Sequence, residues 1–318
     1  MNPKLISTFG SDIEFMYFDK DGVMLPARDF TGKNVGDCFG TDGADRIAEI
    51  RVKPAYSPRE LFVNTFTALK TGYDKYPKIR KLQWKAIGDM YQHSVGTHYH
   101  AVFKWTPDFL LLCDQILAST MILLENVEHA RSRAKLGYAK FSNYRDDQGN
   151  DRSEENKHEG FEYRTVGSVL HSKLGTYVGY ILWAALTDAY YNHGIKSLKT
   201  VKLSEKAYKD CDKAYFINQL PAIWDFVDSL PYFNKCYIGA KYYRDVYNFY
   251  KHLFNGTFPD PKDRDIRIVW GLDTKENLKE LTKNNTITID ELFGVINNQT
   301  NENQAQENRP RVAVRGIQ

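Results

Sequence analysis

The chain has 318 residues, a net charge of +3, 42% apolar and 14% aromatic residues, and a pI near 8.4. With 21 Tyr and 18 Phe it can bury a real core, which excludes disorder over most of its length, and the charge is too balanced to imply nucleic acid. The four cysteines, Cys38, Cys113, Cys211 and Cys236, show no CxxC and no paired spacing, as expected of reduced thiols in a reducing compartment.

The N-terminus has no basic region before a long apolar stretch, so no signal peptide is expected. The most apolar run, residues 177–186, is shorter than the ~20 residues a bilayer span needs. A cytoplasmic protein with no membrane contact is the expectation.

In chain order, the first predicted strand is FGSDIEFMYF, residues 9–18. Alternation sends Ile13, Phe15 and Tyr17 to one face and Asp12 and Glu14 to the other. Two neighbouring carboxylates repel, and desolvating them is costly unless something positive lies between. A divalent cation is the simplest partner; a solvated sheet face is the plain alternative. Asp19-Lys20-Asp21-Gly22 predicts a hairpin turn, with residues 23–25 returning as a partner strand. Residues 28–43 read as a Gly- and Asp-rich loop.

A third strand spans residues 46–54 and ends at Pro54. Ala48, Ile50 and Val52 face one side; Glu49, Arg51 and Lys53 face the other. Ser57-Pro58-Arg59-Glu60 has capping-box form and opens a helix with a Leu61, Phe62, Thr65, Phe66 and Leu69 stripe. Residues 70–85, basic with Tyr73, Tyr76 and Trp84 interleaved, predict a solvated loop, with an anion or nucleic-acid strip as the alternative. Then follow a strand over 93–102, a long helix over 107–129, a polar stretch without periodicity over 130–160 and a short strand over 160–165. Three helices are expected at 176–192, 204–229 (interrupted at Pro221) and 241–254. A short helix at 287–296 and a disordered Asn/Gln-rich tract at 297–308 complete the reading. One domain over 1–272 and a tail over 273–318 result.

Four of the predicted strands carry a polar pair two residues apart: Asp12/Glu14, Glu49/Arg51, His98/His100 and Glu162/Arg164. The residue between is Ile13, Ile50, Tyr99 or Tyr163. Sharing one antiparallel sheet, these strands would pack one face on helices and turn the other into an acid-, imidazole- and guanidinium-lined trough. The expected fold class is therefore α+β. Carboxylates select hard ions, Mg²⁺ or Mn²⁺; a zinc site from His93, His98 and His100 lacks a fourth soft ligand. No glycine-rich phosphate loop of either common type is present. Phosphate would have to be met by metal and by arginines, among which Arg131, Arg133 and Arg145 are candidates; a solvated basic loop is their alternative.

Gly10-Ser11-Asp12-Ile13-Glu14-Phe15, Glu49 through Pro54, Gly96-Thr97-His98-Tyr99-His100 and Gly160 through Thr165 resemble, in order, motifs of the glutamine synthetase-like carboxylate–amine ligases. The phage-encoded COOH–NH2 ligase (amidoligase) group is most similar. The resemblance covers about residues 5–175 and implies a curved antiparallel sheet of the glutamine synthetase catalytic type, ATP, and two Mg²⁺ or Mn²⁺ ions. It implies Asp12, Glu14, Glu49, His98 and Glu162 as metal ligands, with Glu14, Glu162 and Arg164 catalytic. It implies His100, Arg131, Arg133 and Arg145 around the nucleotide. The second acid accompanying Glu49 has two candidates, Asp42 and Asp45. The implied activity joins a carboxylate to an amine through an acyl phosphate, on small-molecule or peptide substrates and, for a phage protein, in the host cytoplasm. A flap that shields the acyl phosphate would suit it, with the loops 28–43 and 146–158 as candidates. A guanidino kinase on the same fold and a non-catalytic nucleotide or nucleic-acid binder are the alternatives.

Overall fold

Ten residues of alternating character make β1, Phe9–Phe18, the spine of an eight-stranded open sheet. The computed structural model describes residues 8–272 other than 34, 35, 44, 89–91, 104, 147–159, 236, 238 and 257–259. The helix expected at 287–296, the polar tract and one of the two candidate flap loops, 146–158 (beyond Asp146), fall outside the described residues. The other strands are β2 (Met24–Leu25), β3 (Phe39–Thr41), β4 (Ala48–Ala55), β5 (Gln83–Lys85), β6 (Thr97–Ala101), β7 (Tyr144–Asp146) and β8 (Phe161–Tyr163). Their order is β3-β4-β1-β6-β8-β7, with β2 and β5 on the C-terminal end of β1. Every pairing is antiparallel.

Three of these strands are too short for sequence periodicity to mark. Residues 28–43, expected as a loop and a candidate flap, contain a short helix, Arg28–Thr31, and β3. The cause is Phe39, whose ring lies 5.9 Å from Phe15 and 5.6 Å from Trp84. Pro54 does not end β4. The register shifts between Phe9 and Ser11, and such a bulge leaves a residue without an N–H a tolerable place in a strand.

The segment 70–85 is not a solvated basic loop. It finishes the Pro58–Lys75 helix, makes a 3-10 turn over Pro77–Lys81 and enters β5. Trp84 is fully buried and stacks on Phe15 at 5.3 Å. Arg80 lies over Tyr73 and donates to the Tyr73 and Asp74 carbonyls. Ser57 caps the helix as the sequence predicts, its Oγ accepting from the Glu60 N–H, while Glu60 Oε2 accepts the N–H of Tyr56, one residue before the cap.

Behind the sheet runs the Lys173–His193 helix, capped by Ser172 and closed by Gly194 at φ +66°, a left-handed turn that glycine adopts without a Cβ clash. Its Trp183 lies 5.5 Å from Tyr99 and 6.0 Å from Tyr163. The aromatic residues between the polar pairs therefore seal the helical face, and the polar pairs face away from it.

The helix expected over 107–129 is broken. Pro107–Cys113 leads into a π-helical turn, Asp114–Ala118, and the run ends in a 3-10 turn, Ile122–Leu124. The wide turn carries two buried polar side chains. Asp114 accepts from Tyr163 and Ser142, and Gln115 bonds Leu198 and Val201. Pro107–Leu124 is long and apolar enough to cross a membrane by composition, and 83% of it is buried inside the fold, as a core helix would be. Asn126 then caps a new helix, Val127–Lys135. The expected 204–229 helix is three: Glu205–Lys209, Lys213–Ile217 and Leu220–Ser229. Pro221 opens the last of these, where its missing N–H costs nothing.

Candidate active site

Strand register assembles the site. Asp12 stands opposite Arg51 on β4 and His98 on β6, and Glu14 stands opposite Glu49. His100 lies opposite Gly10 and Glu162, and Glu162 opposite Arg145 on β7. Cross-strand partners share a face, so Asp12, Glu14, Glu49, Arg51, His98, His100 and Glu162 occupy one side of one sheet. Arg164 follows β8, its N–H bonded to the Asn143 carbonyl. Gly10 leaves room for His100: a Cβ there would lie 3.2 Å from the His100 Cβ.

Glu14, Glu49, His98 and Glu162 are buried. His98 joins the acids: its Nδ1 is 2.8 Å from Glu162 Oε1 and its Nε2 is 3.9 Å from Glu14 Oε2. Nδ1 thus faces Glu162 and Nε2 faces Glu14, so an imidazole donating from Nδ1 to Glu162 would leave Nε2 available to a metal. Glu14 Oε2 also accepts the Gly96 N–H at 2.8 Å. Asp12 and His100 meet at 3.4 Å. Glu162 has Arg164 at 3.4 Å and Arg145 at 3.6 Å, while Arg51 pairs with Glu49.

The acids separate into two electrostatic kinds. Burial pushes the Glu49 carboxyl up to about 9, with Asp12 adding to it and Arg51 opposing. Burial also raises Glu14, against the nearby His98. Glu162 goes the other way: burial opposes its ionisation, but the His98 hydrogen bond and the charges of His98, His100 and Arg164 hold it well below the usual range. Asp12 is likewise held down, its burial outweighed by His100 and His98. Ionised Glu14 and Glu49 thus lack sufficient positive charge from the protein.

The donor set fits a hard divalent ion. One ligand atom each from Glu14, Glu49 and His98 lies within 4.8 Å of the others, and two of the three are carboxylates. Of the two candidates for a second acid, Asp42 lies close enough to raise both Glu14 and Glu49. Asp45 instead pairs with Arg28 in an exposed salt bridge.

The arginines divide as well. Arg145 and Arg164 reach the face. Arg131 donates to the Asp210 carbonyl. Arg133 is buried, with Nη1 on both Glu125 oxygens, Nε on Ser94 Oγ and Nη2 on the Thr165 carbonyl. The structure brings neither Arg131 nor Arg133 onto the sheet face. Sequence reasoning passes over Glu125, whose partner lies eight residues on across a helix start, and the Gly96 N–H, a backbone group with no side-chain signal.

Fold and site together define an α+β domain with a carboxylate-rich face on an open antiparallel sheet backed by helices. The chain belongs to the phage phiEco32-like COOH.NH2 ligase-type 2 family, whose model matches residues 9–272. No curated protein matches it in sequence. Among solved structures, the complex between the prokaryotic ubiquitin-like protein Pup and its ligase PafA is similar, with a TM-score of 0.52 and 9% identity over 79% of this chain and 64% of that one. A bifunctional glutathione synthetase from Pasteurella multocida matches with a TM-score of 0.38 and 12% identity over 85% of this chain and 49% of that one. This chain therefore spans about half to just under two thirds of the length of those structures.

Proposed function

We propose that this protein is an ATP-dependent carboxylate–amine ligase that forms an amide or isopeptide bond through an acyl phosphate. The observation that carries the reading is the convergence of Glu14, Glu49 and His98 within ligand distance on a face shared with Asp12, Glu162, Arg145 and Arg164. Membership in the COOH.NH2 ligase family supports it.

In this reading Asp12, Glu14, Glu49, His98 and Glu162 hold two Mg²⁺ or Mn²⁺ ions. The ions supply charge neutralisation at the nucleotide phosphates and the transferring phosphoryl group. Arg164 and Arg145 add hydrogen-bonding positive charge at the same group. His100, beside Asp12 on the rim, is assigned to the nucleotide. A substrate carboxylate oxygen attacks the γ-phosphorus and ADP leaves. The amine then attacks the acyl carbon, phosphate departs and one proton is released. Burial of Glu14, Glu49 and Glu162 would limit the water around the transferring group. The substrates are a carboxylate and an amine of small-molecule or peptide type.

The test is an Mg-ATP turnover screen against pooled amino acids and peptides, read by mass spectrometry. ADP and phosphate together with a product equal to two substrates less one water are expected. A phosphorylated amine or guanidine as the product would instead make the protein a kinase and end the ligase reading.

A further inference from the structure

We propose that the buried Glu125–Arg133 ion pair is a positioning device for Glu14, holding two backbone segments so that the Gly96 N–H meets the Glu14 carboxylate. The proposal rests on the metal-binding reading of the sheet face. Both partners are buried, and every nitrogen of the Arg133 guanidinium is spent on the protein. Nη1 takes both oxygens of Glu125, Nε takes Ser94 Oγ, and Nη2 takes the Thr165 carbonyl. Glu125 Oε1 in turn accepts the Gly167 N–H at 3.0 Å.

These contacts join the segment entering β6 to the segment leaving β8. Between them, Gly96 bridges Gly167, and the Thr97 N–H donates to the Val166 carbonyl at 3.0 Å. Gly96 is then held against β1 twice: its carbonyl accepts the Glu14 N–H at 3.0 Å, and its N–H donates to Glu14 Oε2 at 2.8 Å. The same glycine lies under His98, since a Cβ there would lie 3.1 Å from His98 Nε2. One ion pair thus sets the approach of the backbone to two candidate metal ligands. Space at the far end is equally tight: a Cβ on Gly167 would fall 2.4 Å from the Glu125 carboxyl carbon.

A planar guanidinium suits this work because its donors leave in fixed directions. A lysine offers charge without that geometry. Partners that orient a metal ligand from outside typically change metal affinity by about 10- to 100-fold when removed, and Arg133 acts at that remove, through Gly96.

The experiment is Mn²⁺ binding followed by the electron paramagnetic resonance of the free ion, with melting curves taken on the same samples. Arg133→Lys and Glu125→Gln are expected to bind Mn²⁺ about 10-fold or more weakly than wild type. Arg267→Lys, which disturbs the Arg267–Asp265 pair, lowers the melting temperature and leaves Mn²⁺ affinity unchanged. That contrast separates positioning from general support. Wild-type affinity in folded Arg133→Lys or Glu125→Gln overturns the proposal, as does a wild-type protein without Mn²⁺ affinity. Should both variants fail to fold, Ser94→Ala, which removes one hydrogen bond of the clamp, decides: weaker binding supports the device and unchanged binding overturns it. The measurement uses no ATP, so its outcome does not depend on whether an amide is formed.

Discussion

Glu14 and Glu49 stand directly opposite each other on β1 and β4, both 6% exposed. Like charges at such a position destabilise a sheet, and burial keeps Glu49 protonated up to about pH 9. A raised acid favours the folded state fully below its ordinary value of 4.5, and that contribution is lost as pH rises through about 9. In chelator, the wild type should lose roughly 2–3 kcal/mol more stability than Glu49→Gln between pH 6 and 8.5. Saturating Mn²⁺ at ~100 times its Kd should restore about 2.7 kcal/mol to the wild type. Melting curves on a pH series, with and without metal, measure both. Parallel curves for wild type and Glu49→Gln would contradict the assignment of this pair.

Glu14→Ala and Glu162→Ala each remove a carboxylate bonded to His98 or close to it. Each variant should lower Mg-ATP turnover by at least about 100-fold, beyond what loss of an outer partner costs. ADP release assayed at saturating Mg²⁺ reads this, and unchanged turnover in both would sink the functional reading.

His171, just before the Lys173–His193 helix, is buried. Burial drives its imidazole down to about 4 from an ordinary 6.5. The unfolded chain therefore binds the extra proton first, and stability is full above 6.5 and lost as pH falls through 4. A difference of this size is worth about 3 kcal/mol. Chemical denaturation between pH 7 and 4.5 should show His171→Gln losing markedly less than the wild type.

Asp114 has the opposite slope. Burial raises it to about 6 against its bonds to Ser142 and Tyr163, so its contribution is full below 3.8 and lost as pH rises through 6. Asp114→Asn should flatten that part of the profile. It should also weaken the turn before β7, where Ser142 sits at φ +51° and leans on Asp114 through both its N–H and its hydroxyl.

Gly72 lies where the Phe39 ring crosses the Pro58–Lys75 helix. A Cβ there would come within 2.1 Å of the ring. Gly72→Ala should cost about 1–3 kcal/mol by overpacking, in spite of alanine's better helix propensity, and Gly72→Ala/Phe39→Leu should recover part of it.

How far the sequence reveals this structure depends on what each residue can say alone. Period-two alternation over β1, β4 and β6 is a local property, and from it the shared polar face follows directly. The side of β8 is equally readable from Glu162 and Arg164. The short strands β3 and β5 are not, because Phe39 and Trp84 are drawn into the sheet by aromatic packing across long separations, and β7, Tyr144-Arg145-Asp146, carries no apolar alternation to mark it. The basic run at 70–85 misleads for the same reason: Trp84 anchors it from within while its lysines stay outside. Arg133 shows the limit for the site. Its residue type suits a phosphate, but Glu125, Ser94 and Thr165 claim it, and only three-dimensional proximity reveals that.

β1 has a strand hydrogen-bonded to it on each side, β4 and β6 along one half and β2 and β5 along the other. An inserted or deleted residue within it would therefore have no free edge toward which to bulge. It would shift the pairing on both sides at once and turn every later side chain to the opposite face. Changes of length belong in the turn at residues 19–22, whereas β1 itself can be edited only by exchanging one residue for another.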